Sequence, residues 1–161
     1  MRSILLTALA ACAVLTAFPS CASAKNAAVP ASCTPRVNRL LGDLIDADER
    51  APVDNVMVCG TTSGPSRPQR PGPHGGHQLI PVLVRFEDGS SALVEVVTND
   101  DLDGRVTAPR GAKVSAFGQY FATTARQRPY VAGIHNVHCA THRGAANGWV
   151  VVNGRKAPTH C

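Results

Sequence analysis

Three histidines and a cysteine lie close together between His135 and His142, where the sequence reads HNVHCATH. Imidazole and thiolate are ligands that zinc prefers, and three converging imidazoles would leave the open fourth position that catalytic zinc needs. His135 and His138 would face opposite sides of a continuous strand, so they can share an ion only if the strand ends between them. The small residues that follow favour such an end. His135, His138 and His142 are therefore candidate zinc ligands, and the alternative is loop histidines that bond to the backbone.

An enzyme built on this cluster would be a metal-dependent hydrolase or a nuclease-like enzyme acting on phosphodiesters. No Asp or Glu follows Asp103, so a general base would have to come from another strand, such as Glu95 or Asp100. Cys139 has the residue type of a nucleophile, but only as a free thiol. The chain has no phosphate-binding loop, dinucleotide fingerprint or G-x-S-x-G motif. These features favour binding over catalysis.

Four cysteines follow the N-terminal segment: Cys33, Cys59, Cys139 and Cys161. An even number in an exported chain predicts two disulfides, with three possible pairings. A Cys33–Cys161 bridge would tie both ends of the chain down and leave Cys59–Cys139 as the second, although the sequence leaves the pairing open.

The N-terminal segment has the pattern of an export signal. Arg2 precedes an apolar run, and Ala22, Ser23 and Ala24 form a cleavage site, so residues 1–24 are predicted to be a signal peptide of a periplasmic or secreted protein. Leu9-Ala10-Ala11-Cys12 also has the form of a lipoprotein cleavage box, which makes a lipid anchor the alternative. No later stretch approaches the roughly 18 apolar residues of a membrane helix, so we predict no transmembrane segment.

Charge is divided unevenly along the chain. Residues 104–161 carry 8 Lys and Arg and no Asp or Glu, while all eleven acidic residues lie at or before Asp103. This asymmetry predicts an anionic ligand or surface as partner, or internal packing of an acidic half on a basic half. Nucleic acid would also require exposed aromatic platforms. Because the few aromatic residues must also build the core, nucleic acid is a less favoured partner than another anionic ligand or surface.

The pattern of apolar residues predicts a mainly β protein. Leu40, Leu41, Leu44 and Ile45 form one stripe of a helix over 35–46. Five strands are then predicted, at 55–61, 77–86, 91–97, 112–122 and 129–138, followed by a hairpin that turns at Asn153-Gly154. The proline-rich loop 62–76 is predicted to be neither helix nor central strand. The fold class is a small five-stranded OB-like barrel with an N-terminal helix and a C-terminal hairpin, arranged as a helical segment (25–52) and a β domain (53–161).

Residues 53 to 156 resemble a family of small exported bacterial domains of unknown function (domain of unknown function 3465). The resemblance is carried by the strand start at His77-Gln78, by Gly111, Val114, Gly118 and Tyr120 in the middle, and by an ending of the form H-x-x-H…G-W…N-G. In this chain that ending is His135, His138, Gly148, Trp149, Asn153 and Gly154. The resemblance implies an OB-like fold and export, without an established activity.

The chain departs from that family pattern at several positions. Asn136 replaces a tryptophan, Ala140 replaces an acidic residue, and Thr98-Asn99 stands where the family has an H-N element, while the cysteines are additions. The loss of an acidic residue favours a binding module over an enzyme. Taken with the basic residues of the C-terminal half, the candidate ligand-binding residues are His77, Gln78, His135, His138, Arg126, Arg128, Arg143 and Trp149.

Overall fold

The computed structural model of the protein describes residues 27–73, 75–143 and 145–161. The predicted signal peptide, residues 1–24, lies outside these ranges. Within them, no helix is long and apolar enough to cross a membrane.

The elements follow one another as a helix and then eight strands. A 3-10 turn (Pro35–Asn38) leads directly into α1 (Arg39–Asp46), as the leucine stripe predicts. The strands and the remaining short helical pieces are β1 (Val53–Thr62), β2 (Arg67–Gly72), β3 (Gly75–Arg85), β4 (Ser91–Asn99), α2 (Asp100–Asp103), β5 (Lys113–Ala122), a 3-10 turn (Ala125–Gln127), β6 (Ala132–His135), β7 (Trp149–Val152) and β8 (Arg155–Ala157).

Five of the strands close into a barrel. The order is β1, β3, β4, β6 and β5, and β5 pairs back with β1. Only β4 and β6 run parallel within this ring, and the other pairings are antiparallel. If the five barrel strands are numbered in chain order, their order around the barrel is 1-2-3-5-4. This is the strand order of an OB fold. The predicted fold class is confirmed.

Small β-branched side chains fill the barrel. The fully buried core residues are mostly valines, among them Val56, Val58, Val82, Val94 and Val96. Leu41 of α1 is fully buried in the same cluster, and Leu44 and Ile45 pack against it. Leu40, predicted on the same stripe, is instead 45% exposed. With few aromatic residues available, the core is filled by side chains that suit the pleated surface of a strand.

The structure departs from the predicted elements in three places. The proline-rich loop contains β2, which pairs only with β3 at the edge of the sheet, a position where prolines are tolerated because one side needs no N–H donor. Residues 100–103 form a helical turn capped by the side chain of Asn99. The fifth barrel strand ends at His135, because Asn136 takes a left-handed backbone conformation with φ 52°. The terminal hairpin is confirmed, with φ 48° at Asn153 and 83° at Gly154.

Both disulfides are present, but the favoured pairing was wrong. Cys33 bonds to Cys59, and Cys139 bonds to Cys161. The reason is that the turn before α1 lies against β1: the Asn38 side chain donates to the Cys59 carbonyl at 2.9 Å and accepts from the Cys59 N–H at 2.7 Å. The C-terminal residue returns instead to the loop that follows β6. Each bridge therefore holds one terminal segment to the barrel.

Candidate functional site

Two concave surfaces on the outside of the barrel contain His138, His142, Arg126 and Arg128 of the candidate residues. The first, which we call the histidine pocket, is a cavity of about 260 Å³ between the start of β1, the middle of β5 and the loop after β6. Its lining consists of Asp54, Asn55, Phe117, Gly118, Gln119, Asn136, His138, Ala140, Thr141, His142, Ala145, Ala146 and Gly148. The second surface is described below.

A chain of hydrogen bonds crosses one wall of the histidine pocket. Gln119 Nε2 donates to Asp54 Oδ1 at 2.6 Å, so its Oε1 faces the other way and accepts. His135 Nε2 lies 2.7 Å from this Oε1, and Asn136 Nδ2 donates to it at 3.3 Å. Because Oε1 is an acceptor, His135 carries its proton on Nε2. Burial lowers the pKa of His135, with the neighbouring His138 acting in the same direction, so the ring is held neutral.

Backbone irregularities place these side chains. The pairing of β1 with β5 shifts between Val53 and Val56, and Asn55 within this bulge has φ 64°. Asn136 ends β6 in the same left-handed region, which asparagine adopts more readily than most residues. Bulges of this kind commonly re-aim side chains at functional sites. Here they turn residues 54–55 and 136 towards one cavity.

The loop after β6 is held to the barrel at several points. The Gly148 N–H donates to the His138 carbonyl at 2.8 Å, and a Cβ at Gly148 would lie 2.2 Å from the Asn136 carbonyl oxygen, so only glycine allows this close approach. The Ala140 N–H donates to the Asn147 side chain at 2.9 Å. The Cys139–Cys161 disulfide adds a covalent tie. The pocket wall is therefore a constrained loop.

His138 lines the pocket, and one of its two ring nitrogens already has a hydrogen-bond partner. Its Nδ1 lies 2.8 Å from the Cys139 carbonyl oxygen, and since a carbonyl only accepts, Nδ1 carries the hydrogen. In the neutral ring, Nε2 is then an acceptor. Burial raises the pKa of the Asp103 carboxyl to about 6, while the Asn99 N–H, at 2.7 Å from Oδ2, opposes that rise, as does the His138 imidazole in its charged form.

The three predicted zinc ligands are not brought together as a set. His135 directs Nε2 to Gln119, His138 directs Nδ1 to a carbonyl, and His142 lies on the exposed rim. Across residues 27–73, 75–143 and 145–161, no three His, Cys, Asp or Glu side chains are grouped so that they could hold a metal ion. Cys139 is in a disulfide and is not available as a thiolate. Zinc binding, and the hydrolase built on it, remain predictions.

The second surface, which we call the basic groove, lies between β2 and the connection from β5 to β6. Arg67 comes from β2, and Arg126 and Arg128 come from that connection. The groove has a volume of about 420 Å³ and is lined by Arg67, Gln69, Leu79, Glu95, Val97, Phe121, Arg126, Gln127, Arg128 and Tyr130. Arg67 Nη2 donates to the Tyr130 hydroxyl at 3.2 Å, which joins its two sides.

A buried carboxyl lies within this cationic surface. Glu95 is 5% exposed. Burial raises the pKa of Glu95, whereas the hydrogen bond from Gln127 and the charge of Arg67 act to lower it. The net rise means that desolvation outweighs the attraction of the arginine. When ionised, the carboxyl reduces the positive charge of the groove, and its protonation restores that charge.

Phe121 connects the two surfaces. Its ring lines the basic groove and packs on Gly133, where an added Cβ would lie 1.9 Å from the ring. The same ring makes an edge contact with His135, with 5.1 Å between ring centroids. His135 in turn bonds to Gln119 of the histidine pocket. Contacts through Phe121 and His135 thus connect the basic groove to Gln119 of the histidine pocket.

The remaining predicted ligand residues lie in varied positions. Gln78 is buried and donates to both carboxylate oxygens of Asp100, at 3.1 and 3.0 Å. His77 is half-buried on β3 and pairs with Gln69, a groove residue. Arg143 is exposed on the loop after β6 and lines neither surface. Trp149 is 3% exposed, stacks on Phe117 and donates to the Ala27 carbonyl at 2.7 Å, a structural position.

Some residues of the two surfaces were not predicted from sequence. Asp54 and Gln119 lie far apart in the chain and meet only because β1 closes the barrel against β5. Arg67 sits in the proline-rich loop, where the basic composition was the available signal. Asn136 was noted only as a departure from a family pattern. Each belongs to a site through the packing of segments that are distant in sequence, which residue spacing does not reveal.

Comparison of the chain with protein-family models, with curated proteins and with solved structures found no match.

Proposed function

We propose that this protein is an exported, disulfide-stabilised OB-like binding module without catalysis, and that it binds an anionic ligand through the basic groove. The observation that carries the proposal is the placement of Arg67, Arg126 and Arg128 around one groove on the outside of the barrel. Two separate loop regions converge there, which fits binding better than it fits a scattered surface charge.

The position of the groove also supports this function. OB folds bind extended ligands across their second and third barrel strands, between the loop joining strands one and two and the loop joining strands four and five. In this chain the first of these connections is the segment between β1 and β3, which contains β2, and the second is residues 123–131. The groove lies between them and includes side chains of β3 and β4.

The chemistry of the groove suits phosphate, sulfate or carboxylate groups on a partly apolar scaffold. Guanidinium groups form paired hydrogen bonds with such oxyanions. Leu79, Val97 and Phe121 supply an apolar strip between the charged side chains. A ligand that alternates anionic and apolar parts would use both. The excess of positive charge in residues 104–161 would add long-range attraction.

The test is the salt dependence of binding to two labelled probes, an oligothymidylate and a sulfated oligosaccharide, measured by fluorescence anisotropy. Contacts to phosphate-type groups give affinity that falls steeply with salt, by a slope of about one for each neutralising cation. We expect an Arg126→Gln/Arg128→Gln double variant to weaken binding at least about tenfold and to lower the salt slope by about two.

A double variant of matched charge provides the control. Arg155 and Lys156 are exposed on β8 and line neither surface, so Arg155→Gln/Lys156→Gln removes the same charge elsewhere. It should leave affinity nearly unchanged. Equal weakening by both double variants would mean that net charge alone attracts the probes. Binding that does not respond to salt would overturn the proposal.

Export is the second part of the proposal. Its support is the pair of disulfides, since such bridges persist in oxidising compartments, together with the signal-like N-terminus. N-terminal sequencing of protein from the periplasm or medium should begin at Lys25. A lipid-modified Cys12 would instead establish the lipoprotein alternative, and unprocessed protein with reduced thiols in the cytoplasm would contradict export.

A further inference from the structure

The histidine pocket differs from the basic groove in the hydrogen bonds that it leaves available. Gln119 already uses Nε2 with Asp54 and Oε1 with His135 and Asn136. Asn136 uses its NH₂ group in that contact, so its oxygen remains. Asp54 keeps its second carboxylate oxygen, and no hydrogen bond from the described residues reaches either of these oxygens.

His138 contributes a third acceptor. Because Nδ1 donates to the Cys139 carbonyl, the neutral ring offers Nε2 as a lone pair. The lining therefore presents a carboxylate oxygen, an amide oxygen and an imidazole nitrogen, all of which accept. A ligand that fits this wall must supply several donors.

The charge of the pocket points in the same direction. Within the described part of the chain, its lining includes no Lys or Arg, and Asp54 supplies its formal charge. An oxyanion would meet acceptors and a like charge, which costs free energy without compensation. The anion proposed for the basic groove is thus a poor occupant of this pocket.

We propose that the histidine pocket is a binding site for a guanidinium group, such as the side chain of an arginine in a peptide. A guanidinium is planar, remains charged and carries five N–H donors in a fixed fork, so it can satisfy acceptors from several directions at once. The cavity of about 260 Å³ has room for the group and its stem. Ala140, Ala145 and Ala146 offer apolar contact for that stem.

The two proposals rest on different residues and can fail separately. The guanidinium site uses Asp54, Asn136 and His138, whereas the anion site uses the arginines of the basic groove. Loss of groove arginines should leave guanidinium binding unchanged, and loss of Asp54 should leave anion binding unchanged.

The experiment compares two probes of the same shape with the disulfide-bonded protein, by isothermal titration calorimetry and by amide chemical shifts. N-acetyl-arginine amide carries the guanidinium, and N-acetyl-citrulline amide replaces it with a neutral urea. We expect the citrulline probe to bind at least about tenfold more weakly, since charge-assisted hydrogen bonds are about twice as strong as neutral ones. Shifts should be confined to residues of the pocket.

Variants then assign the site. Asp54→Asn removes the charge while its side-chain oxygen can still accept from Gln119, and it should weaken the arginine probe at least about tenfold. Ala145→Leu fills the cavity without changing charge and should block the probe as well, which keeps the test informative if Asp54→Asn perturbs the fold. Arg126→Gln/Arg128→Gln is the control that should have no effect.

Two further probes, which both carry the guanidinium group, show which kind of molecule the pocket binds. A Gly-Arg-Gly peptide represents an arginine side chain in a peptide, and agmatine represents a free small molecule. Equal affinity for arginine and citrulline probes, binding unaffected by both pocket variants, or no binding of any guanidinium probe would overturn the proposal. Stoichiometric zinc that displaces the arginine probe would also overturn it, by making the pocket a metal site.

Discussion

His135 on β6 and Gln119 on β5 are register partners on the outside of the barrel, and their side chains meet with 2.7 Å between Nε2 and Oε1. The direction of this bond is set from the far end of the same glutamine, because its Nε2 donates to Asp54. One amide therefore fixes the tautomer of a histidine and the position of a carboxylate.

Replacing Gln119 with glutamate should raise the pKa of His135. In the native protein burial lowers that pKa, and a carboxylate 2.7 Å away would favour the charged imidazolium instead. Nitrogen chemical shifts of the imidazole, followed through a pH titration, report both the tautomer and the pKa. A titration that does not change in Gln119→Glu would show that the bond is absent in solution.

His135 also predicts how stability varies with pH. Its folded pKa is lower than its unfolded value of about 6.5, so the unfolded chain binds more protons between those two values. The stability that the neutral ring contributes is complete above the unfolded pKa and is lost as pH falls towards the folded one. Urea unfolding of native protein and His135→Gln should converge as pH falls through this window.

Asp103 predicts the opposite dependence. Its carboxyl is 8% exposed, its Oδ1 has no hydrogen-bond partner among the described residues, and its pKa is raised to about 6. The folded protein therefore binds the proton more tightly than the unfolded chain, so stability falls as pH rises from the unfolded pKa of about 3.9 to about 6 and stays lower above that pH. Asp103→Asn, whose oxygen can still accept from Asn99, should raise the melting temperature at pH 8 and have little effect near pH 4.

A control distinguishes this from a general gain in stability. Asp101 is exposed on the same helical turn, so Asp101→Asn should not produce a stabilisation that grows with pH. If Asp103→Asn is equally stabilising at both pH values, the raised pKa is not the cause.

Glu95 should limit anion binding in the basic groove. Glu95→Gln removes a buried negative charge beside Arg67 while its side chain can still bond to Gln127. We expect both oligonucleotide and sulfated probes to bind several-fold more tightly, with a smaller gain at acid pH, where the raised pKa already leaves more of the native carboxyl protonated. Unchanged affinity at neutral pH would mean that the probes bind elsewhere.

The two disulfides should have separable effects. Removing Cys139–Cys161 by paired serine substitutions should increase hydrogen exchange in residues 138–148, because that bridge ties the pocket loop to the C-terminus. Removing Cys33–Cys59 should instead loosen the segment before α1. Each loss is expected to cost about 2–4 kcal/mol of unfolding free energy. Identical exchange patterns for the two variants would contradict this assignment.

The barrel could be predicted from sequence because its determinants are local. The helix stripe from Leu40 to Ile45 and the turn at Asn153-Gly154 depend on residues only a few positions apart. The histidine pocket could not be predicted in the same way. Asp54 meets Gln119, 65 residues later, through the pairing of β1 with β5, and the left-handed backbone at Asn136 ends a strand that the apolar pattern would continue.

For the disulfides, too, one property could be predicted from sequence and another could not. Four cysteines predict two bridges from their number alone, and two are present. Their pairing depends on which strand the turn before α1 lies against, and Asn38 decides this through its two bonds to the Cys59 backbone. A buried asparagine that hydrogen-bonds to the N–H and C=O of a distant residue cannot be identified from residue type or spacing.

The outermost strands give the positive charge of this protein a second role. β2 is exposed along its whole length and carries Arg67, Pro68, Arg70 and Pro71, while β8 carries Arg155 and Lys156. An exposed edge strand has unpaired backbone N–H and C=O groups, with which a strand of another molecule can pair. Prolines and charged side chains on the edge strand disfavour such pairing. When two copies approach through these edge strands, their positively charged side chains repel each other. Both outer strands therefore disfavour edge-to-edge pairing of two copies of the protein.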